Sequence, residues 1–192
     1  CISGAVSDGH AYVQQVAEKG AAAVIVEKDV EAPEGLTVIK VENTRYALAL
    51  TSAAYFGYPA EKLKVIGITG TKGKTTTTYM VKSILENAGY KVGLIGTIEA
   101  IIGDKVIPAS NTTPESYCLQ ESFAEMVQAG LDTVVMEVSS QALMLHRTQG
   151  FVFDFGIFTN LEPDHIGPNE HGSFEEYAHC KSLLFKQCRV GI

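Results

Sequence analysis

The segment Gly67–Met80, GITGTKGKTTTTYM, constrains the fold more than any other part of this chain. It continues the apolar run Val65–Thr69, which is typical of a buried strand. After the glycine-rich turn, the pattern predicts a helix from about Lys74 to Asn87 that ends at Gly89. A strand that passes through glycines directly into a helix favours an α/β architecture with a parallel sheet.

The rest of the chain continues this alternation of strands and helices. Strands are predicted at KVGLIGTI, DTVVMEVSS and FDFGIFTNL, and helices at Pro114–Gly130 and SFEEYAHCKSLLFKQC. We therefore predict an α/β fold with a mostly parallel, doubly wound sheet. Ligands of such sheets bind at the carboxyl ends of the strands. The polar motifs GTKGKT, EVSS and TNLEPDH all follow strands, so they should meet at that edge.

The first part of the chain predicts a smaller α/β unit. DGHAYVQQVAEKG reads as a helix, Ala22–Val26 as a buried strand, and TVIKVE as another short strand. A second helix follows, with Asn43 as its N-cap and Gly57 in its stop signal. We place the boundary between this unit, residues 1–59, and the larger unit, residues 60–192.

Composition excludes several classes of protein. The net charge of −7 over 192 residues disfavours nucleic acid or an anionic membrane as a main partner. No apolar run is long enough to span a bilayer and no signal peptide is present, so we expect no membrane insertion and a cytoplasmic location. The four cysteines match no zinc-site spacing and are expected to be reduced. Cys118, Cys180 and Cys188 are expected to be buried or half-buried thiols. The chain starts at Cys1 and stops after CRVGI, which we interpret as a fragment of a longer protein.

The glycine-rich turn is a candidate phosphate-binding loop. The pattern G-x-x-x-x-G-K-[ST] would place its first glycine at position 68, where this chain has Ile68, so the spacing here is tighter. Small residues let backbone N–H groups approach phosphate oxygens, and the helix N-terminus favours negative charge. Lys74 would reach the terminal phosphates, and the Thr75 hydroxyl would bind magnesium. The alternative is a plain strand–turn–helix with a solvated lysine.

GITGTKGKTTT resembles the ATP loop of the Mur ligases and of relatives such as folylpolyglutamate synthetase, which use a compact G-T-x-G-K-T-T form. Three more family motifs follow in order: NTTPES at Asn111–Ser116, MEVSSQAL at Met136–Leu143 and FTNLEPDH at Phe158–His165. The resemblance covers essentially the whole chain. It implies that residues 1–59 are part of the domain that binds the uridine nucleotide, that residues 60–192 are a truncated central ATP-binding domain, and that the C-terminal domain is absent.

The resemblance also implies which residues bind ATP and its metal ions. The ATP-binding residues would be Gly70, Thr71, Lys72, Gly73, Lys74, Thr75 and Thr76. Thr75 and Glu137 would hold one Mg²⁺, and His165 with Lys181 would hold a second, with Lys181 converted to a carbamate by CO₂. Lys74, Lys181 and His165 would be the catalytic residues, and Asp164 would orient His165.

Residue chemistry agrees with this assignment but leaves alternatives open. Glu137 ends an apolar strand, where a buried carboxylate needs a cation or a donor. A buried Lys181 favours the neutral amine, which can react with CO₂. The plainer alternatives are that Glu137 lies at the surface, that His165 has a structural role, and that Lys181 extends to solvent. Helical periodicity puts Tyr177 and Phe185 on the same face as Lys181, so both are expected in the core. His10, His146, His171 and His179 are expected at the surface or in packing roles.

The resemblance places five residues around a UDP-N-acetylmuramoyl-dipeptide: Asn111, Thr112, Thr113, Ser139 and Arg147. Arg147 suits bidentate pairing with an acidic group of that substrate. Thr113 could also be a helix N-cap, with Pro114 at the first helical position. The segment Ile166–Ser173 is longer than in most relatives, so the loop beside His165 could have a different shape.

Within the family, the four motifs most resemble the member that uses ATP to add a diamino acid, meso-diaminopimelate or L-lysine, to UDP-N-acetylmuramoyl-L-alanyl-D-glutamate. That reaction proceeds through an acyl phosphate and builds bacterial peptidoglycan in the cytoplasm. Two alternatives stay open: another ligase of this fold, such as the next wall-peptide ligase or a folylpolyglutamate synthetase, and a non-catalytic nucleotide-binding module. The sequence does not identify the diamino acid or the oligomeric state, and we expect the fragment alone to be inactive.

Overall fold

The structure is a computed structural model that describes residues 1–4, 7–168 and 170–192. Positions 5 and 6 fall before the DGHAYVQQVAEKG stretch, and position 169 falls within the Ile166–Ser173 segment, so the expectation for that segment lies partly outside the described residues. Contacts divide the chain into two compact units, Cys1–Leu48 and Ala49–Ile192. This division comes earlier in the chain than the predicted boundary after residue 59. The assignment of the two units to domains stays a prediction.

Helices and strands alternate along the described residues as the sequence predicts. The helices are α1 (Val13–Glu18), α2 (Thr44–Tyr55), α3 (Lys74–Asn87), α4 (Ser116–Gln128), α5 (Ser140–Met144) and α6 (Phe174–Lys186). The strands are β1 (Ala23–Val26), β2 (Thr37–Lys40), β3 (Lys64–Thr69), β4 (Val92–Ile95), β5 (Glu99–Ile102), β6 (Lys105–Pro108), β7 (Thr133–Glu137), β8 (Phe153–Phe158) and β9 (Cys188–Gly191). Two short 3₁₀ helices span Gly9–Tyr12 and Pro59–Lys62. Within the described ranges, no helix has the length and apolarity needed to cross a bilayer.

The first unit contains a parallel pair of strands, β1 and β2, of which β1 packs against α1. Its small core includes Val13, Val24 and Val26. Asn43 caps α2 as predicted, because its Oδ1 accepts a hydrogen bond from the Tyr46 N–H at 2.8 Å.

The second unit is built on a seven-stranded sheet in the order β6-β5-β4-β7-β3-β8-β9. The five strands from β4 to β9 in this order run parallel, which confirms the predicted mostly parallel sheet. Strand β3 lies between β7 and β8, and five of its six residues are buried. The carboxyl ends of these three central strands therefore bring the glycine-rich loop, the end of EVSS and the TNLEPDH segment to one edge.

Two parts of the sheet were missing from the sequence-based prediction. Strands β5 and β6 form an antiparallel hairpin beside β4, and β9 pairs with β8 at the other edge. Each of these strands has only four residues, and β6 and β9 are mostly exposed. Such short strands lack a clear period-2 pattern, so only their pairing partners identify them.

Two predictions of burial are wrong: that Phe185 lies in the core and that Cys118 is buried or half-buried. Phe185 is 43% exposed and stacks on Phe158 with ring centroids 5.9 Å apart. The buried face of α6 consists of Tyr177, Cys180, Lys181 and Leu184, which leaves Phe185 at its margin. Cys118 is exposed on α4, because other residues of that helix face the core. All four cysteines are free thiols, as predicted.

Candidate functional site

The glycine-rich loop joins β3 to α3 with two glycines in left-handed conformations. Gly70 has φ +144°, and a Cβ built on it would lie 2.0 Å from the Thr159 Oγ1. Gly73 has φ +81° and is the N-cap of α3, where it supplies no side chain to the first N–H groups of the helix. The loop therefore offers backbone N–H groups and a helix N-terminus to an anion, which fits the phosphates of ATP.

The segment after β8 holds this loop in place. The Thr71 N–H donates to the Asn160 carbonyl at 3.0 Å, and the Lys72 N–H donates to the Asn160 Oδ1 at 2.9 Å. The Thr159 hydroxyl donates to the Lys72 carbonyl at 2.8 Å, and the Lys72 ammonium pairs with Glu162. Part of the TNLEPDH motif thus shapes the glycine-rich loop itself.

Lys74 and Lys181 converge on one backbone oxygen. Lys74 Nζ donates to the Gly70 carbonyl at 3.0 Å, and Lys181 Nζ donates to the same oxygen at 2.8 Å. Lys181 is only 2% exposed, so the alternative of a lysine reaching solvent is wrong. Burial, reinforced by the Lys74 charge and opposed by Asp164, lowers the pKa of Lys181 to about 8. Burial also lowers the pKa of Lys74.

Glu137 is a buried carboxylate, only 1% exposed, at the end of β7. Its two oxygens accept hydrogen bonds from the Thr75 hydroxyl at 2.9 and 3.0 Å. The Thr97 N–H donates to Oε1 at 2.9 Å, and the Thr97 hydroxyl donates to Oε2 at 3.1 Å. The alternative of a surface glutamate is therefore wrong. A hydroxyl oxygen and a carboxylate side by side are ligands that Mg²⁺ accepts, so this pair fits the ion.

The expected second metal site, at His165 and Lys181, differs from the Thr75–Glu137 pair because one of its two side chains is an ammonium group. The His165 Nδ1 lies 2.9 Å from the Glu170 Oε1, whereas the His165 Nε2 is 4.0 Å from the Asp164 Oδ2. Glu170, rather than Asp164, therefore orients the ring. The Lys181 ammonium can only donate, so it fits a metal only after conversion to a carbamate. In the described part of the chain, no three His, Cys, Asp or Glu side chains are grouped so that they could hold a metal ion.

A cavity of about 210 Å³ brings most of the predicted site together. The predicted residues that line it are Lys74, Asn111, Thr112, Thr113, Ser139, Arg147, His165 and Lys181. The additional lining residues are Ser140, Gln141, Glu170 and His171. The remaining predicted residues, Gly70, Thr71, Lys72, Gly73, Thr75, Thr76 and Glu137, are outside this lining, on the ATP loop, the start of α3 and the end of β7.

Thr113 connects the end of β7 to the start of the α5 segment. It is fully buried, and its hydroxyl donates to the Glu137 carbonyl at 2.9 Å while accepting from the Ser139 N–H at 3.0 Å. The prediction that Thr113 caps α4 is wrong, because the helix begins later and Glu115 is its N-cap. The Thr113 hydroxyl, which a helix cap would need, is used instead by the Glu137 carbonyl and the Ser139 N–H. Thr112 lies beside Thr97, with hydroxyl oxygens 3.1 Å apart.

Arg147 is held at the wall of the cavity by the NTTPES segment. Its Nη1 donates to the Thr113 carbonyl at 3.1 Å, and its Nη2 lies 2.6 Å from the Glu115 Oε1. Ser139 is the N-cap of α5, where its hydroxyl accepts from the Ala142 N–H at 3.1 Å. Arg147 and Ser139 therefore face the same cavity from the two ends of the α5 segment.

Sequence reasoning missed several residues of the site. Thr97 lies two residues after the end of β4, so its place after a parallel strand was a signal for the same sheet edge. Glu170 and His171 occur in the Ile166–Ser173 segment, where no periodicity indicates their positions. His171 was expected at the surface or in packing, and it is fully buried against the cavity.

The Mur ligase middle domain family model matches residues 68–192 of this chain. The chain is 51% identical over 192 residues to UDP-N-acetylmuramoyl-L-alanyl-D-glutamate--2,6-diaminopimelate ligase of Clostridium perfringens, covering all of this chain and 39% of that protein. It is 50% identical over 187 residues to the protein of the same name in Bacillus licheniformis, covering 97% of this chain and 38% of that protein. The chain thus spans about two-fifths of the length of these relatives.

A solved structure of a UDP-N-acetylmuramoyl-L-alanyl-D-glutamate--2,6-diaminopimelate ligase is similar in fold. It superposes with a TM-score of 0.79 at 24% identity, covering 95% of this chain and 37% of that one. At this level of identity the likeness concerns the fold. It agrees with the α/β architecture and the mostly parallel sheet described above.

Proposed function

This chain belongs to the Mur ligase family, and we propose that it carries the ATP site and part of the substrate site of a ligase that adds a diamino acid to UDP-N-acetylmuramoyl-L-alanyl-D-glutamate. The diamino acid is proposed to be 2,6-diaminopimelate rather than L-lysine, because the relatives at 50 and 51% identity carry that name. We place the reaction in the bacterial cytoplasm, as a step of peptidoglycan synthesis, with neither nucleic acid nor membrane insertion involved.

One observation supports this function above the others: a single cavity is lined by Lys74 of the ATP loop, by Arg147 and Ser139, and by His165 and Lys181. A ligase of this kind must bring a phosphoryl donor, a carboxylate acceptor and charge-stabilising groups within reach of one another. A non-catalytic nucleotide-binding module would need only the first of these. The folylpolyglutamate synthetase alternative has no observation of its own in its favour.

The proposed reaction has two steps. The side-chain carboxylate of the D-glutamyl residue attacks the γ-phosphorus of ATP, which forms an acyl phosphate and releases ADP. The amine of the diamino acid then attacks the acyl carbon, so an amide forms, phosphate leaves and the amine loses a proton. Catalysis of the first step depends on positioning and charge stabilisation rather than on covalent participation of the protein.

The ATP loop would perform the positioning in the first step. The Thr71 and Lys72 N–H groups donate to Asn160, so the other N–H groups of the loop and of the first turn of α3 would bind the phosphate oxygens. The Lys74 ammonium would stabilise the charge on the transferred group. Thr75 and Glu137 would hold one magnesium ion, and His165 with carbamylated Lys181 would hold a second. Magnesium, when bound, would neutralise negative charge on the phosphates and the acyl group.

The carbamate on Lys181 is proposed from its environment. A pKa of about 8 leaves an appreciable fraction of neutral amine near neutral pH, and the neutral amine is the form that reacts with CO₂. The product is a carboxylate-like group, which would replace a buried cation beside Lys74 with an anion. A second positive charge next to Lys74 is costly at this depth, so the conversion would relieve repulsion.

Asn111, Thr112, Thr113, Ser139 and Arg147 would hold the muramoyl-dipeptide. Arg147 would pair with an acidic group, since a guanidinium matches a carboxylate or phosphate with two parallel hydrogen bonds. Thr113 would act mainly through its neighbours, because its hydroxyl is used by the Glu137 carbonyl and the Ser139 N–H.

Calorimetric titration of the full-length protein tests this proposal. UDP-N-acetylmuramoyl-L-alanyl-D-glutamate and a magnesium complex of a non-hydrolysable ATP analogue would be titrated separately into the wild type, Arg147→Ala and Lys74→Ala. We expect saturable binding of both ligands to the wild type. Arg147→Ala should lose the muramoyl nucleotide alone, and Lys74→Ala should lose the ATP analogue alone.

Binding of the ATP analogue without the muramoyl nucleotide would remove the substrate assignment and leave an ATP-binding member of the family. The 192-residue chain by itself should form no product from the diamino acid, because it spans about two-fifths of the relatives' length. Turnover by this chain alone would contradict that expectation.

A further inference from the structure

We propose that His171 is a positioning residue of the substrate site, which holds the first turn of α5 through the Ser140 hydroxyl. This inference rests on the proposed function, because its expected effect is on binding of the muramoyl nucleotide. It assigns a role to His171, which the proposed reaction does not otherwise use.

The contact between His171 and Ser140 joins two segments that are 31 residues apart. The His171 Nε2 lies 2.8 Å from the Ser140 Oγ, and both residues are buried and line the cavity. Ser140 is the first residue of α5, directly after Ser139, which is expected to bind substrate. The contact therefore acts at the point where α5 meets the cavity.

Helix α5 depends on such a contact for its position. It has five residues, and isolated helices of that length are not stable in water. Its placement must come from its N-cap and from tertiary contacts. A lost hydrogen bond at its first residue should therefore displace Ser139 more than the same loss in the middle of a long helix would.

The other side of the contact is anchored in the backbone. The His171 N–H donates to the His165 carbonyl at 3.1 Å, and the His171 carbonyl accepts from the Gly167 N–H at 3.1 Å. The His171 ring also packs against Tyr177, with centroids 5.2 Å apart. The imidazole is thus held in one orientation, and it links the loop that carries His165 to the helix that follows Ser139.

A purely packing role fits His171 poorly. Its Nδ1 is buried and has no hydrogen-bond partner among the described residues. A buried polar atom without a partner costs free energy, so an apolar side chain of similar size would pack at lower cost. The use of a histidine at this position is explained by the Nε2 contact with Ser140.

Two substitutions of His171 distinguish the role of Nε2 from that of Nδ1. The amide of glutamine reaches about as far as Nε2, whereas the shorter asparagine amide reaches about as far as Nδ1. In the full-length protein, His171→Asn should raise the dissociation constant for UDP-N-acetylmuramoyl-L-alanyl-D-glutamate about tenfold. His171→Gln should stay within about threefold of the wild type, because it can still bond Ser140. Neither should change the affinity for the magnesium complex of the ATP analogue.

Ser140→Ala tests the same contact from its other end and should also weaken muramoyl-nucleotide binding about tenfold. The double variant His171→Asn with Ser140→Ala should be no weaker than either single variant, because both remove one shared interaction. His179→Asn is the matched control, since His179 is exposed on α6, and it should bind both ligands like the wild type.

Unchanged muramoyl-nucleotide binding in His171→Asn would overturn the inference. Equal weakening in His171→Asn and His171→Gln, with Ser140→Ala like the wild type, would also overturn it and leave a packing role. If His171→Asn also lost binding of the ATP analogue, its fold would be damaged. The inference would then stand or fall on whether Ser140→Ala weakens binding of the muramoyl nucleotide. If the wild type bound the ATP analogue but not the muramoyl nucleotide, the proposed function would fail first, and this inference with it.

Discussion

Lys74 and Lys181 reach the same backbone carbonyl from very different parts of the chain. Lys74 starts α3, four residues after Gly70, whereas Lys181 lies on α6, 111 residues after Gly70. Lys74 is half-buried beside the cavity, and Lys181 is almost completely buried. The first lysine belongs to a local motif, and the second arrives there only through the packing of a distant helix.

The difference shows how one residue type can serve two chemical purposes. Lys74 sits at a helix N-terminus that attracts anions, so a cation there has a natural partner in a phosphate. Lys181 meets a carbonyl that Lys74 already uses, and its pKa falls to about 8 because of burial and of that neighbouring charge. Lys74 is therefore suited to remain an ammonium, and Lys181 is suited to lose its proton and react.

The largest expected effect comes from replacing Lys181 by arginine, and the same replacement of Lys74 is the comparison. An arginine at position 181 stays charged and forms no carbamate, so Lys181→Arg should reduce kcat of the full-length protein about 100- to 1,000-fold, as Lys181→Ala should. Lys74→Arg keeps a cation near the phosphates and should lose only about tenfold. Steady-state kinetics with saturating substrates would measure both. Nearly normal turnover in Lys181→Arg would refute the carbamate role.

The carbonyl that both lysines share depends on the backbone of Gly70. Gly70→Ala should destabilise the protein by about 3 kcal/mol, because the new Cβ would meet the Thr159 Oγ1 at 2.0 Å in a backbone conformation with φ +144°. Gly89→Ala is the control, since Gly89 has φ +92° but nothing within 4 Å, and it should cost about 1 kcal/mol. Denaturant unfolding would compare the two, and equal losses would contradict the steric argument.

The lowered pKa of Lys181 predicts a pH dependence of stability. The folded-state pKa of about 8 is below the ordinary value of 10.5, so between these pH values the unfolded chain binds more protons than the folded one. Stability contributed by this group should therefore rise with pH from about 8 to 10.5, by no more than about 1.4 kcal/mol per pH unit. Unfolding in CO₂-free buffer would show the rise in the wild type relative to Lys181→Met. Parallel pH profiles for the two proteins would contradict it.

The smallest expected effect concerns the contact that joins α6 to the ATP loop. The Tyr177 hydroxyl donates to the Thr71 Oγ1 at 3.0 Å, and Lys181 Nζ lies 4.5 Å from the centre of the Tyr177 ring. Tyr177→Phe should cost about 1 kcal/mol and weaken binding of the ATP analogue about two- to threefold. Tyr79→Phe removes a comparable bond, to Glu99 at 2.8 Å, and should leave ATP-analogue binding unchanged. Equal effects of both variants on that binding would remove the special role of Tyr177.

Local patterns identified much of the candidate site before the fold was known. The ATP loop and α3 from Lys74 to Asn87 were predicted because glycines, a lysine and a helical period occur within a few residues of each other. Glu137 was predicted because a charged residue in an apolar strand needs a partner. The burial of Lys181 was expected from helical periodicity, although Phe185 on the same helix was placed in the core by the same reasoning and is exposed.

Residues that act through distant partners were missed or assigned wrongly. Thr113 looked like a helix cap, but its hydroxyl bonds β7 and the start of the α5 segment instead. Glu170 and His171 occur in an irregular segment, and their roles depend on His165 and Ser140, which the sequence does not place beside them. The short strands of the β5–β6 hairpin and β9 are identified by pairing alone.

The sequence by itself determined the α/β alternation, the glycine-rich loop between β3 and α3, and the set of residues with suitable chemistry. These features depend on periodicity and on turn residues, which act over a few positions. Only the tertiary structure decided that Lys181 shares a carbonyl with Lys74, that Glu170 orients His165, and that His171 holds Ser140. Such contacts join residues that are far apart in sequence or lie in irregular segments, and no local pattern records which of them the packed sheet and helices bring together.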